Sequence, residues 1–111
     1  MLFRSVSQTL LDEKGPASAI ASAMDPTRKG IAGLSLGGAT VLIAAYHPTL
    51  HLKDVQAAVA FAPASCFFGP GLYAHALPTV IVSGSADELV PFSTAERVFE
   101  RAPGPDRKSV V

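Results

Sequence analysis

Ser35 stands in the run Gly33-Leu34-Ser35-Leu36-Gly37-Gly38, between a short strand-like stretch and a long apolar helix-like stretch. A hydroxyl is a weak nucleophile at neutral pH and needs a base to take its proton. A sharp turn from strand to helix, flanked by residues without side chains, would expose the Ser35 Oγ. The same turn aims the backbone N–H of Leu36 at the oxygen that gains negative charge when a carbonyl is attacked. The chemistry these residue types permit is acyl transfer through a serine. The bland account is a glycine-rich turn holding an ordinary serine, so the remaining parts must be sought elsewhere in the chain.

Asp87 is the second position of interest. It lies in Gly84-Ser85-Ala86-Asp87-Glu88-Leu89-Val90-Pro91, directly after the clearest strand-like run. A carboxylate there can accept the Nδ1 proton of a histidine and hold its tautomer for use against a serine. The alternative is a loop acid favoured by the positive end of the helix that follows Pro91. Glu88 is the weaker candidate, because consecutive side chains point in opposite directions.

A base is harder to place. The chain has three histidines, His47, His51 and His75, and none follows Asp87. His47 and His51 have the spacing of a helical metal pair, but Pro48 interrupts the helix between them and no third ligand follows at a useful distance. No metal site is expected. His75 falls in a long loop and reads as a surface or pocket-wall residue. In residues 62–70, Ala-Pro-Ala-Ser-Cys-Phe-Phe-Gly-Pro, the loop is unusually apolar. Pro63 and Phe67 are candidates for a substrate-binding wall; packing against another lobe is an equal alternative. Cys66 reads as a small hydrophobe with no basic neighbour to activate it.

These positions need a scaffold. The 111 residues suffice for one small domain, residues 1–111, and carry equal numbers of acidic and basic side chains. With no basic run, no nucleic-acid partner is expected. No apolar stretch is long enough to span a membrane as a helix. The single cysteine excludes an internal disulfide, and the absence of asparagine excludes N-glycosylation. No signal peptide is legible, since Arg4, Asp12, Glu13 and Lys14 bracket too short an apolar segment.

Residues 2–11 place Leu2, Phe3, Val6, Leu10 and Leu11 on one helical face, and 17–24 are small and helix-friendly. Residues 29–33 read as a strand, 36–47 as a buried helix stopped by Pro48, and 55–61 as an alanine-rich strand. A loop spans 62–77, a strand 78–83, a loop 84–90, and a helix 91–101 with Phe92, Ala95, Val98 and Phe99 inward. Residues 108–111 begin another strand. The alternation predicts an α/β fold, a parallel sheet with flanking helices, its apolar strands covered on both faces. Ser35 and Asp87 both follow strand ends, so topology brings them to the same carboxyl rim.

Asp25-Pro26-Thr27-Arg28, the Gly33–Gly38 run and the Gly84-x-x-Asp87-x-x-Val90-Pro91 run together resemble the α/β-hydrolase superfamily. More narrowly the chain is similar to its dienelactone-hydrolase, chlorophyllase and cutinase-like polyester-hydrolase branch, although Leu34 departs from the His or Tyr often found before the serine. The resemblance spans essentially all 111 residues. It implies a partial α/β-hydrolase fold, strands five to eight, with the N-terminal strands absent. It also implies a serine hydrolase acting on a small-molecule carboxylic ester without cofactor, in which Ser35 attacks, Asp87 orients a histidine and Leu36 gives half the oxyanion hole. In that family the histidine follows the eighth strand and the second oxyanion donor follows the third. Both would lie outside these residues. Acyltransferase, serine peptidase and thioesterase chemistries fit the same parts; haloalkane dehalogenation does not, because it needs a carboxylate in place of Ser35. A different reading is a non-catalytic fragment or half-domain that needs a complementary segment, with self-association through an exposed sheet edge.

Overall fold

A computed structural model describes residues 9, 10, 15, 18–104 and 108–110. Four strands, β1 (Gly30–Leu34), β2 (Ala57–Phe61), β3 (Thr79–Val82) and β4 (Lys108–Val110), form one sheet in sequence order. Every neighbouring pair is parallel. The helices are α1 (Ser18–Ala23), α2 (Leu36–Tyr46) and α3 (Phe92–Arg101), and a short 3-10 turn, Pro70–Leu72, sits in the connection from β2 to β3. The α/β alternation expected from the sequence is thus observed. The helical face expected over 2–11 lies outside the described residues, apart from Thr9 and Leu10.

The apolar pattern explains which faces meet. α2 buries Val41, Leu42, Ala45 and Tyr46. These pack on Ala58 and Ala60 of β2, Ile81 of β3, Leu72, and Ala95 and Val98 of α3. Full burial of a residue such as Leu42 or Ile81 contributes about 1.5–3 kcal/mol. Alanine is a poor strand former, but at 58 and 60 it leaves room for α2 to lie close on the sheet. α2 ends where His47 turns extended and Pro48 removes the next donor. α3 is amphipathic: Thr94, Ala95 and Val98 are buried, while Glu96, Arg97 and Glu100 face solvent. Phe92 and Phe99, expected to point inward, are half-buried, and the buried Thr94 is the residue the apolar pattern misses. Its hydroxyl is satisfied, donating to the Pro91 carbonyl at 2.8 Å.

Coverage of the sheet differs from expectation. Register puts Ile31, Gly33, Ala58, Ala60, Thr79 and Ile81 on the face beneath α2 and α3. The other face carries Ala32, Leu34, Ala57, Val59, Phe61, Val80 and Val82. There Leu34 and Phe61 are exposed, and α1 buries none of its residues. Among the described residues, helices therefore cover one face of the sheet. β1 is also an edge strand. Its odd-numbered residues bond toward β2, as Ser35 N–H to Phe61 O (2.9 Å) and Gln56 N–H to Lys29 O (2.9 Å) frame the ladder. Gly30, Ala32 and Leu34 turn their backbone groups outward, along an edge with no charge or proline to blunt it.

One buried group is energetically out of place. The Ser83 hydroxyl, just beyond β3, is 2 % exposed and has no hydrogen-bond partner among the described residues. Removing an unsatisfied hydroxyl relieves its desolvation cost. Ser83→Ala is expected to raise stability by about 1 kcal/mol, read as a higher urea midpoint at unchanged slope. A lower midpoint would mean that the hydroxyl has a partner in solution.

Candidate active site

Ser35 is the one-residue hinge between β1 and α2. It has φ 56° and ψ −115°, a conformation a non-glycine residue adopts only under constraint. The constraint comes from three directions. Its N–H donates to Phe61 O at 2.9 Å, which ties it to the end of β2. Its carbonyl accepts from Ala39 N–H at 3.0 Å, the first bond of α2, and from Ala64 N–H at 3.1 Å. Two glycines make the close approach possible. A Cβ on Gly33 would lie 2.3 Å from Gly37 O, and one on Gly38 would lie 3.0 Å from both Phe61 O and Pro63 Cα. Gly37, by contrast, has open space around it. The glycine that the turn requires on its helical side is therefore Gly38, one residue beyond the five-residue motif.

The Ser35 side chain is exposed and makes no capping bond to α2. Leu36 opens the helix beside Ser35, so its N–H has no acceptor within the helix. The Leu36 side chain is 69 % exposed.

Asp87 sits two strands away along the same rim. Leu34, Phe61 and Val82 are register partners, so Ser35 and the loop after β3 leave the sheet about 10 Å apart, two strand spacings. The Asp87 carboxylate is half-buried and tied down by its own loop. One oxygen accepts the N–H groups of Leu89 and Val90, both at 2.9 Å, and the Asp87 N–H donates to Gly84 O at 3.3 Å. This Asx-type turn holds the side chain in one place. Glu88 is exposed.

The loop after β2 supplies the floor and wall between them. Pro63 is fully buried and wedged beneath Gly38. Its place is under the turn rather than on a surface that a ligand could touch. Phe67 is 62 % exposed, with its ring edge-on to Phe68 (centroids 4.7 Å apart, planes at 69°). Phe68 packs on the core and so anchors Phe67 at the rim. Cys66 beside it, expected from the sequence to be a small buried hydrophobe, is instead an exposed free thiol. Ser65, buried, donates to Thr94 O at 3.4 Å and ties this loop to α3.

The histidines gather at the other end of α2. His47 caps the C-terminus of α2, and its Nδ1 accepts the N–H groups of Thr49 and Leu50, each at 3.1 Å. His51 Nδ1–H donates to His47 O (3.1 Å), and His75 Nε2–H donates to Pro48 O (3.2 Å). The His51 and His75 rings stack with centroids 3.6 Å apart. All three therefore sit a full helix length, about 16 Å, from Ser35. Nearby, burial pushes the Tyr73 phenol up despite the opposing pull of Arg101, and its ring leans on Tyr46. These contacts, with Ala74 and His75 N–H on Tyr46 O, pin the far end of the β2–β3 connection. Among the described residues, no three His, Cys, Asp or Glu side chains form a set that could hold a metal.

A second recess, of about 520 Å³, opens at the amino rim between Asp25, Arg28, Lys29, Gly30, Gln56 and Ala57. Its charges are largely internally answered. Lys29 pairs with Asp54 at 2.9 Å. The Thr27 hydroxyl and N–H hold the Asp25 carboxyl below the usual carboxylate range.

The sequence located Ser35, Leu36, Asp87 and Phe67 at this rim by topology. It missed the 62–64 arch that touches Ser35 and the requirement for Gly38. The visible signals were the doubled glycine after the serine and the Ala-Pro-Ala at a strand end. No protein-family model and no curated protein sequence matches the chain.

Proposed function

We propose that this chain is the nucleophile-bearing part of a serine hydrolase built on the α/β-hydrolase plan, its strands corresponding to the fifth to eighth, and that it cleaves carboxylic esters. Ser35 Oγ attacks the ester carbonyl and forms the C–O bond while a histidine takes its proton. The carbonyl electron pair moves onto oxygen, where the Leu36 N–H stabilises it. Collapse breaks the bond to the alcohol, which leaves with the proton from the histidine. Water repeats the sequence and frees the acid. Asp87 orients the histidine, and that residue comes from outside these 111 residues. The reaction needs neither metal nor cofactor.

The observation that carries this reading is the backbone of Ser35. Strain at a non-glycine residue persists where surrounding structure over-determines it, and such sites cluster where chemistry is done. Here that strain is combined with an exposed hydroxyl, an unsatisfied helix N-terminus and a fixed carboxylate on the same rim. Of the large apolar side chains exposed among the described residues, Leu36, Phe67 and Leu89 belong to the turn and loops that leave the strands at that rim. An apolar collar of this kind supports an ester with an apolar acyl or alcohol part. The opposite placement of the three histidines supports an external base.

A fluorophosphonate probe in imidazole buffer tests the reading. The expected result is a covalent adduct on the peptide containing Ser35 that is lost in Ser35→Ala. A folded protein that takes no label would favour the second reading, a non-catalytic half-domain. Among the described residues helices cover one face of the sheet and no strand pairs with the outer edge of β1; both features favour that alternative, since they invite a complementary segment or a second copy.

A further inference from the structure

Two non-glycine residues among those described have positive φ, Ser35 at 56° and Ala62 at 39°. They are neighbours. Leu34 and Phe61 are register partners on adjacent parallel strands, so the next residues, Ser35 and Ala62, leave the sheet side by side. A single strained turn is a common way to start a helix after a strand. A second one alongside, at an alanine with no ligand-binding side chain of its own, calls for a separate cause. The hydrogen bonds supply it. Ala62 N–H donates to Val82 O at 2.7 Å, the end of the strand that leads to Asp87. Two residues later, Ala64 N–H donates to the Ser35 carbonyl at 3.1 Å. Between them Pro63 is fully buried, with its Cα at the limit of approach to Gly38.

We propose that Ala62 is a positioning residue for the nucleophile: its left-handed turn folds the 62–64 arch back over the Ser35 backbone and couples the serine's turn to the strand that bears the acid. Taking Ser35 as the nucleophile is the reading proposed above. The arch acts on geometry alone. Without the left-handed turn at Ala62, the chain leaving β2 would continue away from α2 and the Ala64 N–H would not reach Ser35 O. With it, Ser35 is held at its N–H by Phe61, immediately before the turn, and at its carbonyl by Ala64, two residues after it. An L-residue at positive φ is confined to a small region, so the arch has little freedom to drift. Glycine in the same place could occupy that region and many others.

The test separates confinement from stability. In Ala62→Gly the strain of a Cβ at positive φ is relieved, so the Tm is expected to hold or rise. Two readouts are expected to fall: the hydrogen-exchange protection of the Ser35 and Ala64 amides, roughly tenfold, and the rate of fluorophosphonate labelling, several-fold. Ala62→Asn, a side chain that tolerates the left-handed region while remaining confined, is expected to restore both. A protection loss in the glycine variant, with no labelling even of the unmutated protein, would keep the arch and discard the hydrolase reading. Unchanged amide protection in Ala62→Gly, or an equal loss in Ala62→Asn, overturns the proposal.

Discussion

Gly33→Ala is expected to abolish the native packing of β1 on α2, at a cost of about 3 kcal/mol or more. A Cβ there would meet Gly37 O at 2.3 Å and Gly37 C at 2.4 Å, and both are backbone atoms of the helix start. Backbone cannot rotate away as a side chain can, so either α2 lifts from the sheet or the Ser35 turn opens. Gly38→Ala should cost less, about 1–3 kcal/mol, because its contacts with Phe61 O, Pro63 Cα and Gly33 O fall at 3.0–3.2 Å and a shift of a few tenths of an ångström relieves them. Gly37→Ala should stabilise, by about 0.5–1 kcal/mol, since it sits within α2 with nothing within 4 Å and loses only backbone freedom. Urea denaturation of the three variants gives the order directly. A Gly37→Ala variant as unstable as Gly33→Ala would mean that the helix does not start where the geometry puts it.

That ordering marks the limit of what the letters disclose. The pattern G-x-S-x-G names Gly33 and Gly37 as equals, yet one is in hard contact and the other is free. Whether a glycine is required depends on which backbone atoms cross it: for Gly33 these belong to the start of α2, a few residues on, and for Gly38 they include Phe61 O and Pro63 Cα at the exit of β2, more than twenty residues later. Short-range features were legible: the helix 36–47 ends at its proline, and β3 is an uninterrupted apolar run. Topology was legible as well: the overall α/β alternation predicts a parallel sheet with Ser35 and Asp87 at one rim, and β2 and β3 are parallel although a loop with a 3-10 turn, not an α-helix, joins them. Pro63 was not legible. A proline in an apolar loop can face a ligand or fill the core, and only the register of β2 beside β1 decides between them. That no histidine follows Asp87 was readable, and His47 and His51 follow directly on the helix 36–47, but the arrival of His75 beside them came from the fold of the β2–β3 connection, which has no periodicity to read.

The 111-residue chain is expected to hydrolyse p-nitrophenyl acetate no faster than Ser35→Ala does, for a reason of distance rather than of missing chemistry. Ser35 is exposed, Leu36 opens α2 beside it and the Asp87 carboxylate is fixed two strands away, but every histidine lies about a helix length off, its ring hydrogen-bonded to backbone groups at the other end of α2. General-base assistance by a histidine contributes roughly 10²–10⁴-fold to such a step, and the three histidines of the chain all lie away from the rim. Imidazole added to solution can enter where a histidine would stand. The expected result is turnover that rises with imidazole concentration beyond the buffer blank, saturates, and vanishes in Ser35→Ala. Asp87→Asn should weaken the rescue rather than remove it. A free imidazole can turn without help, whereas a tethered histidine relies on the acid for its tautomer, and an amide in place of the aspartate in a complete triad costs about 10⁴-fold. Turnover by the unaided chain that is lost in Ser35→Ala would overturn this account, because a base within the 111 residues would then have to reach the serine. None of the three histidines lies within a helix or strand, and each is held at the far end of α2: His47 by the Thr49 and Leu50 N–H groups, His51 by the His47 carbonyl, and His75 by the Pro48 carbonyl and the His51 ring.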